Sequence, residues 1–257
     1  MGVYLYLFAA GAGVGFLSGL LGLGGGIIMF PLLYYLTPAL GFEAIDVRSI
    51  TGLTMAQGFF ASFSAALFYR SERLINRPLV LLFGLSLAAS SLAGSVASKF
   101  VPEGPLLFIF GLLALLAAVM MFIPRSGRRD DLAGDRVEFN RPLAASIGLG
   151  LGFFLGMVGQ GGAFITIPVL LYVLKIPLRA AIGSTLAIGV ISAAAGLVGK
   201  AATAQVPPLM AGAMLLGAVP MARVGGMVGR GTDTRYLRWL LAAVIAGAAI
   251  KIWADII

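Results

Sequence analysis

The chain has 257 residues, 60% of them hydrophobic and only 11% charged, with a mean hydropathy of +1.03. Soluble domains are roughly 45–50% apolar and about 25% charged, so this composition excludes a cytosolic enzyme, a nucleic-acid-binding module and a disordered tail, and defines an integral membrane protein. Cys and His are both absent, which removes disulfides, thiolate nucleophiles, His-ligated metals and imidazole proton shuttles, predicts no metal or other cofactor, and leaves the net charge of +8 to be read as topology.

The first feature in chain order is residues 3–36, an apolar stretch that a single helix would extend to about 50 Å, well beyond a hydrocarbon core of about 30 Å. Gly22-Leu23-Gly24-Gly25-Gly26 interrupts it. Clustered glycine disfavours continuous helix, so the stretch reads as two arms joined at a glycine turn. Met1 to Ala10 carries no basic n-region, which predicts that no signal peptide is cleaved here, and Tyr6 stands where myristoylation needs Ser or Thr. Three plain spans of about 20 apolar residues follow, at 47–69, 78–99 and 104–123, with Pro, Gly and charge in the breaks between them. Residues 124–141 hold Arg125, Arg128, Arg129, Asp130, Asp131, Asp135, Arg136, Glu138 and Arg141 and predict a solvated linker. Residues 142–174 then repeat the over-long pattern, broken at Gly159-Gln160-Gly161-Gly162, and plain spans at 179–199, 207–226 and 235–254 complete the chain.

The two halves are copies. Gly15, Gly19, Gly22, Gly24 and Gly25 align with Gly152, Gly156, Gly159, Gly161 and Gly162 at a constant offset of 137, as do Phe16 with Phe153 and Pro31 with Pro168. A six-residue deletion then aligns Arg48, Gly52 and Thr54 with Arg179, Gly183 and Thr185 at an offset of 131. The organisation is a first transmembrane repeat at 1–123, a linker at 124–141 and a second transmembrane repeat at 142–257.

Charge decides how the copies are related. If each broken stretch crosses the membrane once, Lys and Arg divide 10 against 8 between the two sides. If each returns to the side it entered, they divide 14 against 4, the four being Arg48, Lys99, Lys200 and Lys251. The second division follows the positive-inside rule and predicts an all-α membrane protein of two inverted-topology repeats. Each repeat is then a glycine-broken pair of helices, re-entrant or doubly short, followed by three transmembrane helices. The linker is expected in the cytoplasm and both termini on the outer side. The trailing arms, 27–36 and 163–174, span about 15 to 18 Å as helix, so hairpins entering from opposite faces are expected to bring their glycine turns together near the midplane, where inverted-repeat transporters bind substrate.

At a helix break the first N–H groups of the following arm have no intrahelical partner and carry the positive end of the dipole. Such a turn suits a small anion without a fixed charge at hydrocarbon depth, where charge is costly. Gly24, Gly25, Gly26, Gly161 and Gly162 are therefore the candidate backbone ligands. Ser18, Thr51, Thr54 and Gln57 in the first half, and Gln160, Thr166, Ser184 and Thr185 in the second, are the polar side chains placed to assist. Other roles compete. Gly11, Gly15, Gly19 and Gly148, Gly152, Gly156 recur at i+4 as a helix-packing ridge, and Ser or Thr in a membrane helix often bonds its own backbone. Arg48 and Arg179 open equivalent helices, as entrance charges attracting anions or as snorkelling helix ends. A dinucleotide fingerprint fails at Ile27 and Phe164. No Asp, Glu or His lies within a span, so no coupling carrier is apparent, and Glu43, Asp46 and Glu103 fall in outward loops.

Gly22-Leu23-Gly24-Gly25-Gly26-Ile27-Ile28-Met29-Phe30-Pro31, its echo Gly159-Gln160-Gly161-Gly162-Ala163-Phe164-Ile165-Thr166-Ile167-Pro168, and Ile182-Gly183-Ser184-Thr185-Leu186 resemble the TauE/SafE sulfite exporter family of membrane permeases. The resemblance covers nearly the whole chain. It implies transport of sulfite or small organosulfonates, usually outward across a bacterial inner membrane, and points to the glycine turns with Ser184 and Thr185. The sequence departs from the family pattern at Ala163, which stands where the first copy has Gly26, and in placing Gly-Ser-Thr before Leu186.

The expected protein is a secondary transporter, not an enzyme, that works in the lipid bilayer on a small anionic substrate, binds no nucleic acid and exposes its site alternately by moving the halves against each other. A permease for a neutral or cationic solute is the first rival. A membrane enzyme or a structural scaffold is the second, opposed by the lack of general bases and by the duplicated helix breaks.

Overall fold

The computed structural model describes residues 1–22, 24–69, 75–122, 139–159 and 163–256, and every regular element among them is helical. Most of the predicted linker lies outside the described residues.

Helix α1 (Gly2–Leu21) closes on Gly22, whose φ of 71° lets its N–H reach Ser18 O at 2.8 Å. Only glycine adopts this left-handed conformation without strain. The trailing arm is α2 (Gly26–Pro31), a π-helical stretch Leu32–Leu36 and α3 (Thr37–Ala39). Pro31 brings no N–H, which leaves Ile27 O without its i+4 donor, and the helix widens directly after it. In the second half, α7 (Arg141–Met157), α8 (Ala163–Pro168) and a π-helical stretch Val169–Val173 reproduce the same order, with Pro168 in place of Pro31. The duplication is thus present in the backbone as well as in the sequence.

The six plain spans appear as α4 (Val47–Tyr69), α5 (Arg77–Ala97), α6 (Glu103–Phe122), α9 (Leu178–Ala202), α10 (Pro208–Gly231) and α11 (Thr234–Ile256). Asn76 and Asn140 set the starts of α5 and α7. Each side-chain oxygen accepts from the N–H three residues on, at 3.0 and 3.1 Å, with Pro next to it in the first turn. Seven helices among the described residues are long and apolar enough to cross a membrane, and the seventh is α1. The leading arm of the first hairpin is therefore no half-crossing; its 20 residues reach about 30 Å.

The first hairpin returns to the side on which it starts. Tyr6 Oη donates to Leu32 O at 2.9 Å, and the rings of Tyr6 and Phe42 stack with centroids 5.9 Å apart. Both contacts place the end of the trailing arm beside the beginning of α1.

Packing interleaves the halves. α1 lies along α10, and its repeat counterpart α7 lies along α5, so each half lends its first helix to the other. The glycine ridges make this possible. A Cβ at Gly11, Gly15 or Gly19 would overlap the carbonyl oxygens of Met214, Ala218 and Ala222, and one at Gly152 or Gly156 would overlap those of Leu87 and Ser91. The expected packing role of these ridges is what the structure shows. The exchange continues where α2 touches α11 and α8 touches α6. At the centre α4 and α9 pack together and run antiparallel. Lys200 at the end of α9 bonds Thr51 at the start of α4, while Asn76, beyond the end of α4, bonds Ser184 at the start of α9.

Gly19→Leu should drive a side chain into the α10 backbone and lower the unfolding midpoint of the purified protein by at least the equivalent of the about 1–3 kcal/mol that overpacking costs. Gly13→Leu, on the same helix with nothing within 4 Å of its Cβ direction, should leave the midpoint unchanged in the same thermal scan.

Candidate functional site

The two glycine runs begin against opposite ends of the central helix pair. Gly22 packs on Ile182, where an added Cβ would lie 2.9 Å from Cγ2, and Gly159, at φ 72°, packs on the backbone of Thr51. Ile182 and Thr51 are repeat equivalents, each in the second turn of its helix, so each turn rests on the opposite half. Ile182 opens α9 while the Lys200 that bonds Thr51 closes it, which separates the two contacts by about 27 Å of helix axis. The full-length leading arm carries Gly22 to the start of α9.

From Gly22 the chain folds back inward. Gly24 and Gly25 have φ of 65° and 82°, and Gly25 faces both Val14 and the amide of Gln57, 3.2 Å from a Cβ placed there. Gly24, Gly25 and Gly26 are all buried. Gly25 O accepts from the N–H groups of Ile28 and Met29 at 3.2 and 3.0 Å, which starts α2. The N–H groups of Gly26 and Ile27 precede the first intrahelical bond and point out of the helix start.

Gln57 is the notable side chain at this turn. It is wholly buried, and neither its Oε1 nor its Nε2 has a partner among the described residues. An unpaired buried amide costs about 1–3 kcal/mol, an expense a protein retains where something outside its own chain completes the bonding. Thr185 Oγ1, one turn along α9 from the Ile182 that seats Gly22, is buried and unpartnered in the same way, as are Ser18 Oγ on α1 and Ser62 and Ser192 on α4 and α9. A polar seam therefore follows the central helix pair past the first glycine turn.

The remaining sequence candidates fall as follows. Thr54 Oγ1 donates to Ile50 O at 3.0 Å and to Thr51 O at 3.1 Å, so its hydrogen stays on its own helix. Ser184 Oγ accepts from Asn76 N at 3.0 Å and fixes the start of α5 against α9. Thr166 is buried in α8. Arg48 donates from Nη2 to Val101 O at 3.2 Å, while its buried Nε has no partner among the described residues. Arg179 lies in the first turn of α9. Gln160, Gly161 and Gly162 lie outside the described residues.

Lys200 was not among the candidates. A lysine near a helix end reads as a snorkelling topology signal, but this one is 0% exposed. Its Nζ donates to Ser98 Oγ at 2.6 Å, Thr51 Oγ1 at 2.8 Å, Gln205 Oε1 at 2.9 Å and Met157 O at 3.0 Å. These groups come from the end of α5, the start of α4, the segment after α9 and the end of α7. Its repeat equivalent is Tyr69, so the duplication carries no signal for it.

Helices broken at buried glycine turns, covered by a many-spanning bundle and lined by unpartnered polar groups, define a multi-pass membrane transporter. The chain belongs to the TauE/SafE sulfite exporter family, whose model, described as "Sulfite exporter TauE/SafE", matches residues 7–252. Its relatives are transporters rather than enzymes by name. It is 23% identical to "Probable membrane transporter protein YunE" of Bacillus subtilis over 94% of both chains, and 25% identical to "Probable membrane transporter protein YjnA" of the same organism over 93% of this chain and 95% of that one. It is also 25% identical to "Probable membrane transporter protein MJ0441" of Methanocaldococcus jannaschii over 75% of this chain and 70% of that one. No solved structure matches it.

Because the polar atoms of Gln57 and Thr185 lack partners, Gln57→Leu and Thr185→Val should hold or raise the thermal unfolding midpoint, each by the equivalent of up to about 1–3 kcal/mol. A clear loss of stability in both would mean that these groups are bonded in the folded protein.

Proposed function

We propose that the protein is a secondary transporter that exports a small sulfur-containing oxyanion, sulfite or an organosulfonate, across the inner membrane. The observation that carries this reading is the unpartnered amide of Gln57 facing Gly25 at the head of α2. The free N–H groups at that helix start and the Gln57 Nε2 are donors converging on one buried turn, and donors without a local acceptor suit an oxyanion. Thr185 adds a hydroxyl from α9. Gly161, Gly162 and Gln160 are assigned the same role in the second copy. Arg48 and Arg179, at the starts of α4 and α9, are assigned as entrance charges.

The inverted arrangement of the halves is supported by the antiparallel course of α4 and α9 and by the return of the first hairpin to its starting side. It is supported too by the position of the basic minority: Arg48, Ser98 beside Lys99, and Lys200 adjoin one another, and Lys251 lies 4.5 Å over the ring of Tyr35, at the end of the first hairpin. These residues mark the outer face, and the linker is cytoplasmic.

Interleaving changes what can move. Since α1 packs on α10 and α7 on α5, the two sequence halves are not separable bodies. The pieces that rock are a bundle of α1, α10 and α4 and its counterpart of α7, α5 and α9, sliding along the α4/α9 contact.

Purified protein should show a thermal shift with sulfite or a sulfonate and none with chloride or with organic cations, because a ligand of the folded state stabilises in proportion to its occupancy. In liposomes, Gly25→Val should reduce flux of that anion at least about 100-fold, since it adds a side chain where the substrate meets the backbone and strains a positive φ. A shift only with neutral or cationic solutes, or wild-type flux in Gly25→Val, would overturn the reading. Orientation has its own check. The chain has no Cys, so Ser126→Cys creates a single thiol, which a membrane-impermeant maleimide should label in inside-out vesicles and not in intact cells.

A further inference from the structure

Gln57 has more unmet bonding than a bare anion can use. Its side chain is 0% exposed, and both amide atoms, the Oε1 acceptor and the Nε2 donor, lack a partner among the described residues. The amide lies against the first glycine turn, where a Cβ at Gly25 would stand 3.2 Å from Nε2 and 3.4 Å from Cδ. The turn itself does not use these atoms. Gly25 O already accepts from Ile28 and Met29. The N–H groups of Gly26 and Ile27 open a continuous apolar helix that runs to Ala39, yet they leave Oε1 unbonded. A half-turn of the amide exchanges its two atoms but not the inventory, two hydrogens and one acceptor oxygen without partners. Ser18 adds to this set. It stands one turn along α1 from the Val14 that faces Gly25, on the same face of that helix, and its buried Oγ is unpartnered among the described residues as well.

These groups sort ligands by chemistry. An oxyanion stripped of hydrogens satisfies Nε2 and the free N–H groups, but it turns only lone pairs toward Oε1 and leaves that oxygen buried and unbonded. A ligand that also carries a donor completes the set. Charge points the same way. Residues 7–21 of α1, 26–39 of the trailing arm and 49–68 of α4 include no charged side chain, and their titratable groups are Tyr34 and Tyr35. The helices packed against these segments, α6, α9, α10 and α11, carry their charges toward their ends. Lys200, the charged residue buried among the described ones, is held at Thr51, about 9 Å of helix axis from Gln57. Its hydrogens are taken by protein acceptors. The turn is thus lined by neutral groups. The cost of burying an ion grows with the square of its charge, so a dianion costs about four times as much here as a monoanion.

We propose that Gln57 selects a singly charged oxyanion that brings a hydrogen-bond donor of its own, with Nε2 and the start of α2 holding the negative oxygens and Oε1 accepting from the donor. Dianions, and monoanions without a donor, are rejected. The inference rests on the anion reading above and narrows it. The donor is the acid O–H of hydrogensulfite or a hydroxyl carried by a substituted sulfonate. In the first case the proton crosses with the anion, and the spans need no carboxylate to carry one.

The test titrates wild type and Gln57→Leu by thermal shift with two ligand pairs, in each of which a methyl group replaces the hydroxyl: hydrogensulfite against methanesulfinate, and 2-hydroxyethanesulfonate against propane-1-sulfonate. At about pH 6, where sulfite is mostly singly protonated, the hydroxyl member of at least one pair should bind wild type at least about 10-fold tighter. The pair that shows the preference identifies the donor. In Gln57→Leu the same preference should shrink to within about 2-fold. Equal affinities within both pairs in wild type would overturn the proposal whatever the fate of the variant, and a preference that persists in Gln57→Leu would overturn the role of Gln57. A second measurement uses wild type alone. Affinity for total sulfite, taken relative to methanesulfinate, should fall at least about 5-fold from about pH 6 to about pH 8, because the protonated fraction falls; a flat or rising affinity would show that the dianion binds and would overturn the proposal. Absence of a shift with every one of these anions would overturn the anion reading itself.

Discussion

Backbone that leaves a helix inside a membrane has no water to bond with, so protein must cover it. In this chain that requirement falls on two glycine turns, and the helix exchange meets it. α1 ends at the first turn and α7 at the second, and each is held along a helix of the other half by glycines that admit a neighbouring carbonyl where a Cβ would stand. With larger residues on those ridges the helices would stand apart and the turns would face lipid. The packing ridge and the candidate binding turn are therefore one device: close approach along α1 and α7 keeps Gly22, Gly24, Gly25 and Gly159 under cover.

Much of this was legible in the sequence, for reasons that are local or periodic. The six plain spans follow from length and hydropathy, the breaks from clustered glycine, the ridges from i+4 spacing, and the duplication from constant offsets. Pairing was not legible. The ridges of α1 and α7 say that something approaches closely, not that α10 and α5 do, because the partner is fixed by packing between residues some 200 positions apart in one case. Gln57 stood out as polar, but its lack of any partner is a property of the folded surroundings alone.

Lys200 shows the same limit from the side of charge. Sequence placed it with Arg48 and Lys99 on one face, and the contacts among Lys200, Thr51 and Ser98 agree with that grouping. A residue count has no access to burial, however, and treats a lysine sunk among four acceptors like one reaching for water. The spans hold no carboxylate or imidazole, while the charged residue that the fold buries among the described residues is a cation at a span's end.

The asymmetry of this cluster bears on how the bundle works. Around Lys200 one side chain joins four elements, the starts and ends of α4, α5, α7 and α9. At the opposite end of the central pair the equivalent contacts are Gly22 on Ile182 and Asn76 on Ser184, an apolar seat and one neutral hydrogen bond. Sliding α4 along α9 would separate Lys200 from Thr51 and strip Lys200 of part of its bonding. Such a step is unfavourable without compensation.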